Sequence, residues 1–370
     1  MPRKLVTVRQ ISAISPITGA DRIETATIDG WTCVVPVGDF KPGDRGLYFE
    51  IDSLLPGADP RWAFLAPKNG PTPPADIRVK TLRVRGVLSQ GLLLPLLSFP
   101  EVTAVIDALS PAEIDVKLRD MSFEEVLRVR KYEKPVVPLP NGAPDVTPLP
   151  EFPYFVPKTE AERVQNLPDV FISHGDEVFQ ESTKMDGSSM TVFYLGADSP
   201  HHDILDADIS SDGVYVCSRN RMLVENHPRS PPLFWSTARA LNLPATLSSL
   251  GRNIAIQGEL CGSSIQSNYE GFGRGEHNFF LFSVWDIDAQ RYLPPREVHE
   301  TWAPRLGVKH VPVHGYRPLK EIGGSVADLV ARAEGKGVDG RKREGIVLKQ
   351  EDGSLSFKAI SNSYLLKHGE

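Results

Sequence analysis

No run of about eighteen apolar residues occurs in this 370-residue sequence, so nothing in it reads as a membrane-spanning helix. The N-terminal stretch MPRKLVTVRQ lacks the apolar segment of a secretion signal. Cysteine is scarce: Cys33, Cys217 and Cys261 stand far apart with no paired spacing. That scarcity excludes a disulfide framework and a cysteine-rich zinc site, and it predicts an intracellular, cytoplasmic protein. No internal repeat is present. Neither sign of charge dominates, since 41 Lys and Arg face 47 Asp and Glu for a net charge of −6. Contact with a nucleic acid would therefore need a local basic surface within an acidic whole. What remains is ordinary globular composition, 41% hydrophobic and 24% charged, in a chain long enough for two or three cores.

Proline is the one residue in conspicuous supply, and it punctuates the chain. Residues 1 to about 120 read as short strands, KLVTVRQISAI, RIETATI, WTCVVPV and RGLYFEI, separated by turns such as DG and KPGD. A small antiparallel barrel closes so many short strands naturally. The following IRVKTLRVRGVLSQGLLLPL carries Arg78, Lys80, Arg83 and Arg85. If extended, Arg78 and Lys80 share a face, as do Arg83 and Arg85. Two readings stand: a solvated edge that resists aggregation, or a stripe that contacts phosphates. Ser122 with Glu125 in SFEEVLRVRKYE has the spacing of a capping box. From 133 to 157, eight of 25 residues are proline, a density that predicts a semi-rigid linker.

The second part mixes strands (MTVFYLG, GVYVCSR, IAIQGEL, FFLFSVWDI, EGIVLKQ) with helical segments (PPLFWSTARALNL, PREVHETWAPRLG, GSVADLVARAEG). Their irregular alternation suits an α+β fold with antiparallel sheets. The loop GADSPHHDILDADISSDG, with His201 and His202, reads as a polar hairpin tip before it reads as a metal site.

Lys184, in ESTKMDGSSMTVFY, is the residue most able to carry chemistry. A Lys-x-Asp-Gly turn at the mouth of a β-branched, aromatic strand is by itself no more than a turn. Four further stretches follow it in order: CSRN at 217–220, IQGELCG at 256–262, FSVWDI at 282–287, and REGIVLK with SFKAIS between 343 and 361.

That ordered set resembles the covalent nucleotidyltransferase superfamily of ATP-dependent ligases and mRNA capping enzymes. It is most similar to RNA ligases of the Deinococcus type, which have an N-terminal OB-like domain and end just after their last motif. VPKTEAERVQNLPD and VRGVLSQGLLLPL look like that family too. The resemblance implies an OB-like nucleic-acid-binding domain over 1–130, a proline-rich linker over 131–157 and a nucleotidyltransferase domain over 158–370. It implies ATP and a divalent cation, Mg²⁺ or Mn²⁺, as cofactors. The expected partner is nucleic acid, a nicked RNA or RNA/DNA duplex.

By the same resemblance, Lys184 attacks the α-phosphorus of ATP to form a lysyl–AMP phosphoramidate. The AMP passes to a 5′-phosphate, and a 3′-OH displaces it. Asp186 and Gly187 complete the turn. Arg219 would hold ribose or phosphate, and Glu259 a ribose hydroxyl or the metal. Phe282, or else Phe280, would stack on adenine. Glu344 would hold the metal or the lysine's ammonium form, and Lys349 and Lys358 would neutralise phosphate charge. Free lysine has a pKa of about 10.4, so the attacking amine needs help to lose its proton, for which burial, metal ions on ATP and the neighbouring Lys349 and Lys358 are candidate sources. Arg341, Lys342 and Arg343 form a basic window beside this site.

The sequence departs from the family at two points. Thr183 stands where many members have a glutamate, with Glu181 farther back, and Ile360 replaces the second lysine of the common Lys-x-Lys. Two alternatives remain: a GTP-using capping-type enzyme, and a nucleic-acid-binding protein with an inactive nucleotidyltransferase domain. Capping enzymes and DNA ligases continue into a C-terminal OB domain, for which SFKAISNSYLLKHGE leaves no room.

Overall fold

The computed structural model describes residues 3–66, 75–110, 113–114, 117–133, 148–202, 205, 212–337, 340 and 342–368. The chain forms two compact units, Met1–Val136 with Asn362–Glu370, and Val137–Ser361. Among the described residues no helix is long and apolar enough to cross a membrane.

The first unit is built on antiparallel strands β1 (Val6–Pro16), β2 (Ile23–Ile28), β3 (Trp31–Pro36), β4 (Arg45–Phe49), β5 (Ser53–Leu55), β6 (Ile77–Arg78), β7 (Thr81–Val84), β8 (Val87–Gln90), β9 (Leu92–Pro95) and β10 (Arg130–Lys131). Its main sheet runs β3-β2-β1-β4-β9. β1 is long enough to serve two cores because a bulge between Ile11 and Ala13 bends it. Before the bulge, Val6 and Val8 pack with Phe49, Trp62 and Phe99; at it and beyond it, Ile11 and Ile14 pack with Trp31 and Tyr48. The expected small antiparallel barrel is thus a curled sheet, a half-barrel of the OB-like kind.

Local geometry overturns two readings. Ser122 and Glu125 form no capping box: the helix is only Glu124–Leu127, and Ser122 Oγ donates to Glu124, whose carboxylate also accepts from the Leu5 amide. Arg83 and Arg85 do not share an extended face, because Arg85 (φ 49°) and Gly86 (φ 86°) make the two-residue turn between β7 and β8. Positive φ at both positions is what a type I′ hairpin demands. Arg78 is occupied, its guanidinium donating twice to Asp52 Oδ1 and lying 4.0 Å from the Tyr132 ring. Lys80, Arg83 and Arg85 are exposed.

Residues 134–147 of the expected linker lie outside the described residues. Its last part does not act as a spacer: Phe155 and Val156 are buried in the second unit, where the Phe155 carbonyl accepts from Trp285 Nε1. The tail also differs from expectation, since the helix Asn362–His368 belongs to the first unit. There Gln90 Nε2 donates to Asn362 Oδ1.

The second unit holds β11 (Glu162–Arg163), β12 (Val178–Lys184), β13 (Ser188–Tyr194), β14 (Val214–Cys217), β15 (Met222–Leu223), β16 (Ile254–Gly262), β17 (His277–Asp286), β18 (Arg291–Tyr292), β19 (Lys309–His310), β20 (Val313–Pro318), β21 (Gly345–Gln350) and β22 (Ser356–Ile360). They make two mostly antiparallel sheets, β11-β22-β21-β12-β20 and one ordered β15-β14-β13-β16-β17-β18 with β19 against β17. Helices flank them where the sequence predicts: Pro232–Ala240, Pro295–Leu306 with a π turn at Val298–Trp302, and Val326–Ala333 capped by Ser325. The α+β expectation holds.

Candidate active site

Lys184 is the last residue of β12 in one sheet, and Ser188 opens β13 in the other, so Met185–Gly187 is the turn that carries the chain across. Gly187 is required there by close approach. A Cβ would stand 2.5 Å from the Leu260 carbonyl oxygen and 2.9 Å from both Cys261 Sγ and Glu259 Cγ. No larger residue lets the turn lie against β16.

Strand register gathers the other motifs around this turn. Lys184 pairs with Gly345, which brings Glu344 alongside; Ser189 pairs with Glu259, and Glu259 with Phe280. Lys184 Nζ donates to Glu344 Oε2 at 2.7 Å, with the two side chains 24% and 9% exposed. Burial alone would push the amine's pKa down. The charges of Glu344, Glu259 and Asp186 outweigh it and hold the amine above its ordinary range. This corrects the expectation that Lys349 and Lys358 depress the nucleophile: what faces it is carboxylate. Glu259 is pushed up to about 8, first by burial and then by Glu344, Asp186 and Glu270, against the pull of Lys184.

Lys349, on β21, is turned to β17. Its Nζ donates to the Phe282 carbonyl and to Ser283 Oγ (2.7 Å), and lies 4.9 Å from the Phe282 ring centroid. Burial brings it down to about 7. Phe282 is the half-buried member of its aromatic pair; Phe280 is buried with Met185, Cys261, Phe272 and Val311. Lys358 sits on β22, paired with Val347 of β21.

Several expected residues are engaged with other partners. Arg219 lies in the exposed turn between β14 and β15, ion-paired to Glu160. Glu181 is buried and held by Arg332 (2.6 and 2.8 Å) and Arg317 (2.9 Å), so it is tied into the sheet. Thr183 Oγ1 bonds His314 Nε2 at 2.8 Å. Of the basic window, Arg343 is buried, bonded to His314 and to the Ala333 and Arg332 carbonyls; Lys342 is exposed, and Arg341 lies outside the described residues. His201 stacks on Phe155 with ring centroids 4.4 Å apart.

The sequence reading missed Glu270. It is 1% exposed and its Oε1 accepts from the Asp186 amide at 2.6 Å. Its setting, NYEGFG, carries no motif that would have marked it.

Among the described residues no three His, Cys, Asp or Glu form a ready cage for a metal. The donor set still fits a hard divalent cation. Magnesium-type ions are held by one or two carboxylates with the remaining oxygens from phosphate and water, and Glu344 and Glu259 are hard oxygen donors in an excess of negative charge.

A lysine at a strand end against carboxylates, with an OB-like unit elsewhere in the chain, agrees with the resemblance to covalent nucleotidyltransferases. The RNA ligase family model matches residues 177–363, and an OB-fold domain model matches residues 5–96. Among solved structures the chain is similar to Naegleria gruberi RNA ligase with pyrophosphate, at 37% identity and TM-score 0.80 over 99% of each chain. It is likewise similar to a mutant of that ligase with ATP and Mn, at 36% identity, TM-score 0.79 and 99% of each chain. A further mutant with AMP and Mn matches at 37% identity, TM-score 0.80 and 99% of each chain. No curated protein matches the chain. The chain belongs to the RNA ligase family.

Proposed function

We propose that this RNA ligase uses ATP and a divalent cation to seal a nick bearing a 3′-OH and a 5′-phosphate, in duplex RNA or an RNA/DNA hybrid, with Lys184 as the residue that becomes AMP-bound. The observation that carries this is the 2.7 Å contact of Lys184 Nζ with Glu344 within a ring of carboxylates. The solved ligase structures with ATP, AMP and pyrophosphate support it.

Lys184 Nζ gives up its proton, for which Glu344 Oε2 is the nearest acceptor, and attacks the α-phosphorus. The N–P bond forms and the bond to pyrophosphate breaks. A 5′-phosphate oxygen then takes the AMP from Nζ, and the 3′-OH attacks the adenylated 5′-phosphate, releasing AMP. Splitting the transfer into covalent steps lowers each barrier. A cation held by Glu344 and Glu259 would supply charge neutralisation at the phosphates. Lys358 adds a fixed positive charge, Lys349 adds one that titrates near neutrality, and the half-buried Phe282 ring offers the face for adenine. Asp186 and Gly187 hold the turn, and Arg219 contacts ribose or phosphate once released from Glu160. Residues 1–130 grip nucleic acid, with Lys80, Arg83 and Arg85 turned out to meet phosphates and Arg78 held back by Asp52.

Incubation with α-labelled ATP and Mg²⁺ or Mn²⁺ tests the reading. Acid-precipitable protein label is expected from wild type, none from Lys184→Ala, and none from α-labelled GTP. Label retained by Lys184→Ala would end the assignment.

A further inference from the structure

The segment between β16 and β17 is folded around one asparagine. Asn268 (φ 49°) accepts the Phe272 amide on Oδ1 at 2.7 Å and donates Nδ2 to the Phe272 carbonyl at 2.9 Å, while its own carbonyl accepts from the Gly271 amide at 2.8 Å. Phe272 is anchored on Phe280, ring centroids 6.2 Å apart. This self-cinched loop delivers Glu270, whose Oε1 takes the Asp186 N–H at 2.6 Å. Ser267 of the same loop donates to Asp186 Oδ2 at 3.4 Å. Glu270 Oε2 is buried and has no hydrogen-bond partner among the described residues.

A neutral acceptor would satisfy a backbone amide at lower desolvation cost than a carboxylate buried beside Asp186 and Glu344. Burial and those two charges push Glu270 up to about 7, against the bond from the Asp186 amide. A carboxyl so placed is poorly explained by packing alone.

We propose that Glu270 is a positioning residue for the adenylation step: by holding the Asp186 amide it fixes the Met185–Gly187 turn and so aims Lys184. This rests on Lys184 being the AMP acceptor. The turn is the only covalent link from Lys184 into β13, so a tilt there moves Nζ relative to Glu344 and Glu259. Misplacement of a reacting group by about 1 Å is enough to slow chemistry on the order of a hundredfold.

Single-turnover label transfer to the protein at saturating ATP, run beside sealing of a nick whose 5′ strand is supplied already adenylated, tests this. Glu270→Ala is expected to slow label formation about ten- to a hundredfold with little change in the ATP concentration for half-maximal rate. Its sealing of the pre-adenylated nick should match wild type. Glu270→Gln, which keeps an oxygen for the Asp186 amide, should return label formation to within about threefold of wild type. Normal labelling by Glu270→Ala overturns the proposal, as does joint loss of labelling and pre-adenylated sealing, or a Glu270→Gln as slow as Glu270→Ala. A wild-type protein that takes no label would instead overturn the assignment of Lys184.

Discussion

At the scale of single residues, Lys184 must lose a proton to act as the proposed nucleophile, and it is surrounded by groups that help it keep one. Glu344, Glu259 and Asp186 raise its pKa more than burial lowers it. Label formation should therefore climb with pH through neutrality into the alkaline range. Removing one negative charge lowers the amine's pKa, so Glu344→Gln should shift the pH–rate curve for phosphoramidate formation to lower pH, even though its maximum falls. Rates of label formation measured across a pH series check this. A profile that stays in place would mean the Glu344 charge is not what retains the proton. Lys184, Asp186, Gly187, Glu259 and Glu344, which strand pairing gathers at one turn, could be picked out because each lies in a short motif. Glu270 could not, since a hydrogen bond to a main-chain amide leaves no pattern in neighbouring letters. The direction of the Lys184 shift was hidden for a related reason: it depends on which side chains face Nζ, and spacing along the chain does not reveal that.

At the scale of elements, strand pairing carries the site and close backbone contacts enforce it. A Cβ on Gly345 would meet the Ala359 carbonyl oxygen at 2.1 Å, across the β21–β22 pair beside Glu344. Neither main chain can yield, so Gly345→Ala should destabilise the protein by about 1–3 kcal/mol. Calorimetry should show a melting temperature several degrees lower, and label formation should fall with it. Strands were readable wherever apolar and β-branched runs met turn residues, as in β13, β16 and β17, whereas β12 was not read as a strand. Short elements were not. The Ser122–Glu125 spacing suggested a cap, yet Glu124 is drawn away by the Leu5 amide, a partner distant in sequence. Arg85 looked extended until its left-handed φ placed it in a hairpin turn. Glu181 entered as a group near the nucleophile, and its three bonds to Arg332 and Arg317 make it a fastening of β12.

At the scale of the whole molecule, an acidic protein with a polyanionic substrate must concentrate its positive charge. Of the four basic residues in the first unit's stripe, Lys80, Arg83 and Arg85 are exposed while Arg78 is neutralised by Asp52. The combined Lys80→Ala/Arg83→Ala/Arg85→Ala variant should weaken binding to a nicked RNA duplex and flatten its dependence on salt, by roughly 0.7–0.9 in log–log slope for each phosphate that is no longer neutralised. Its labelling by ATP should be unchanged. Fluorescence titrations at several salt concentrations read both quantities, and an unaltered slope would remove the hairpin from the nucleic-acid interface. The proline count foretold a division of the chain but misjudged its edges, because Phe155 and Val156 are apolar anchors within a proline-rich stretch.

Connectivity between the two units also constrains how they can be produced separately. The Ser361 amide bonds the Glu344 carbonyl, and the very next residue opens a helix of the other unit. A recombinant catalytic fragment that runs on to Glu370 would thus drag along a stranded helix whose Tyr364 and Leu365 have lost their bed. The gene for that fragment is better cut after codon 361, and the complementary fragment needs residues 362–370 grafted back through an artificial tether.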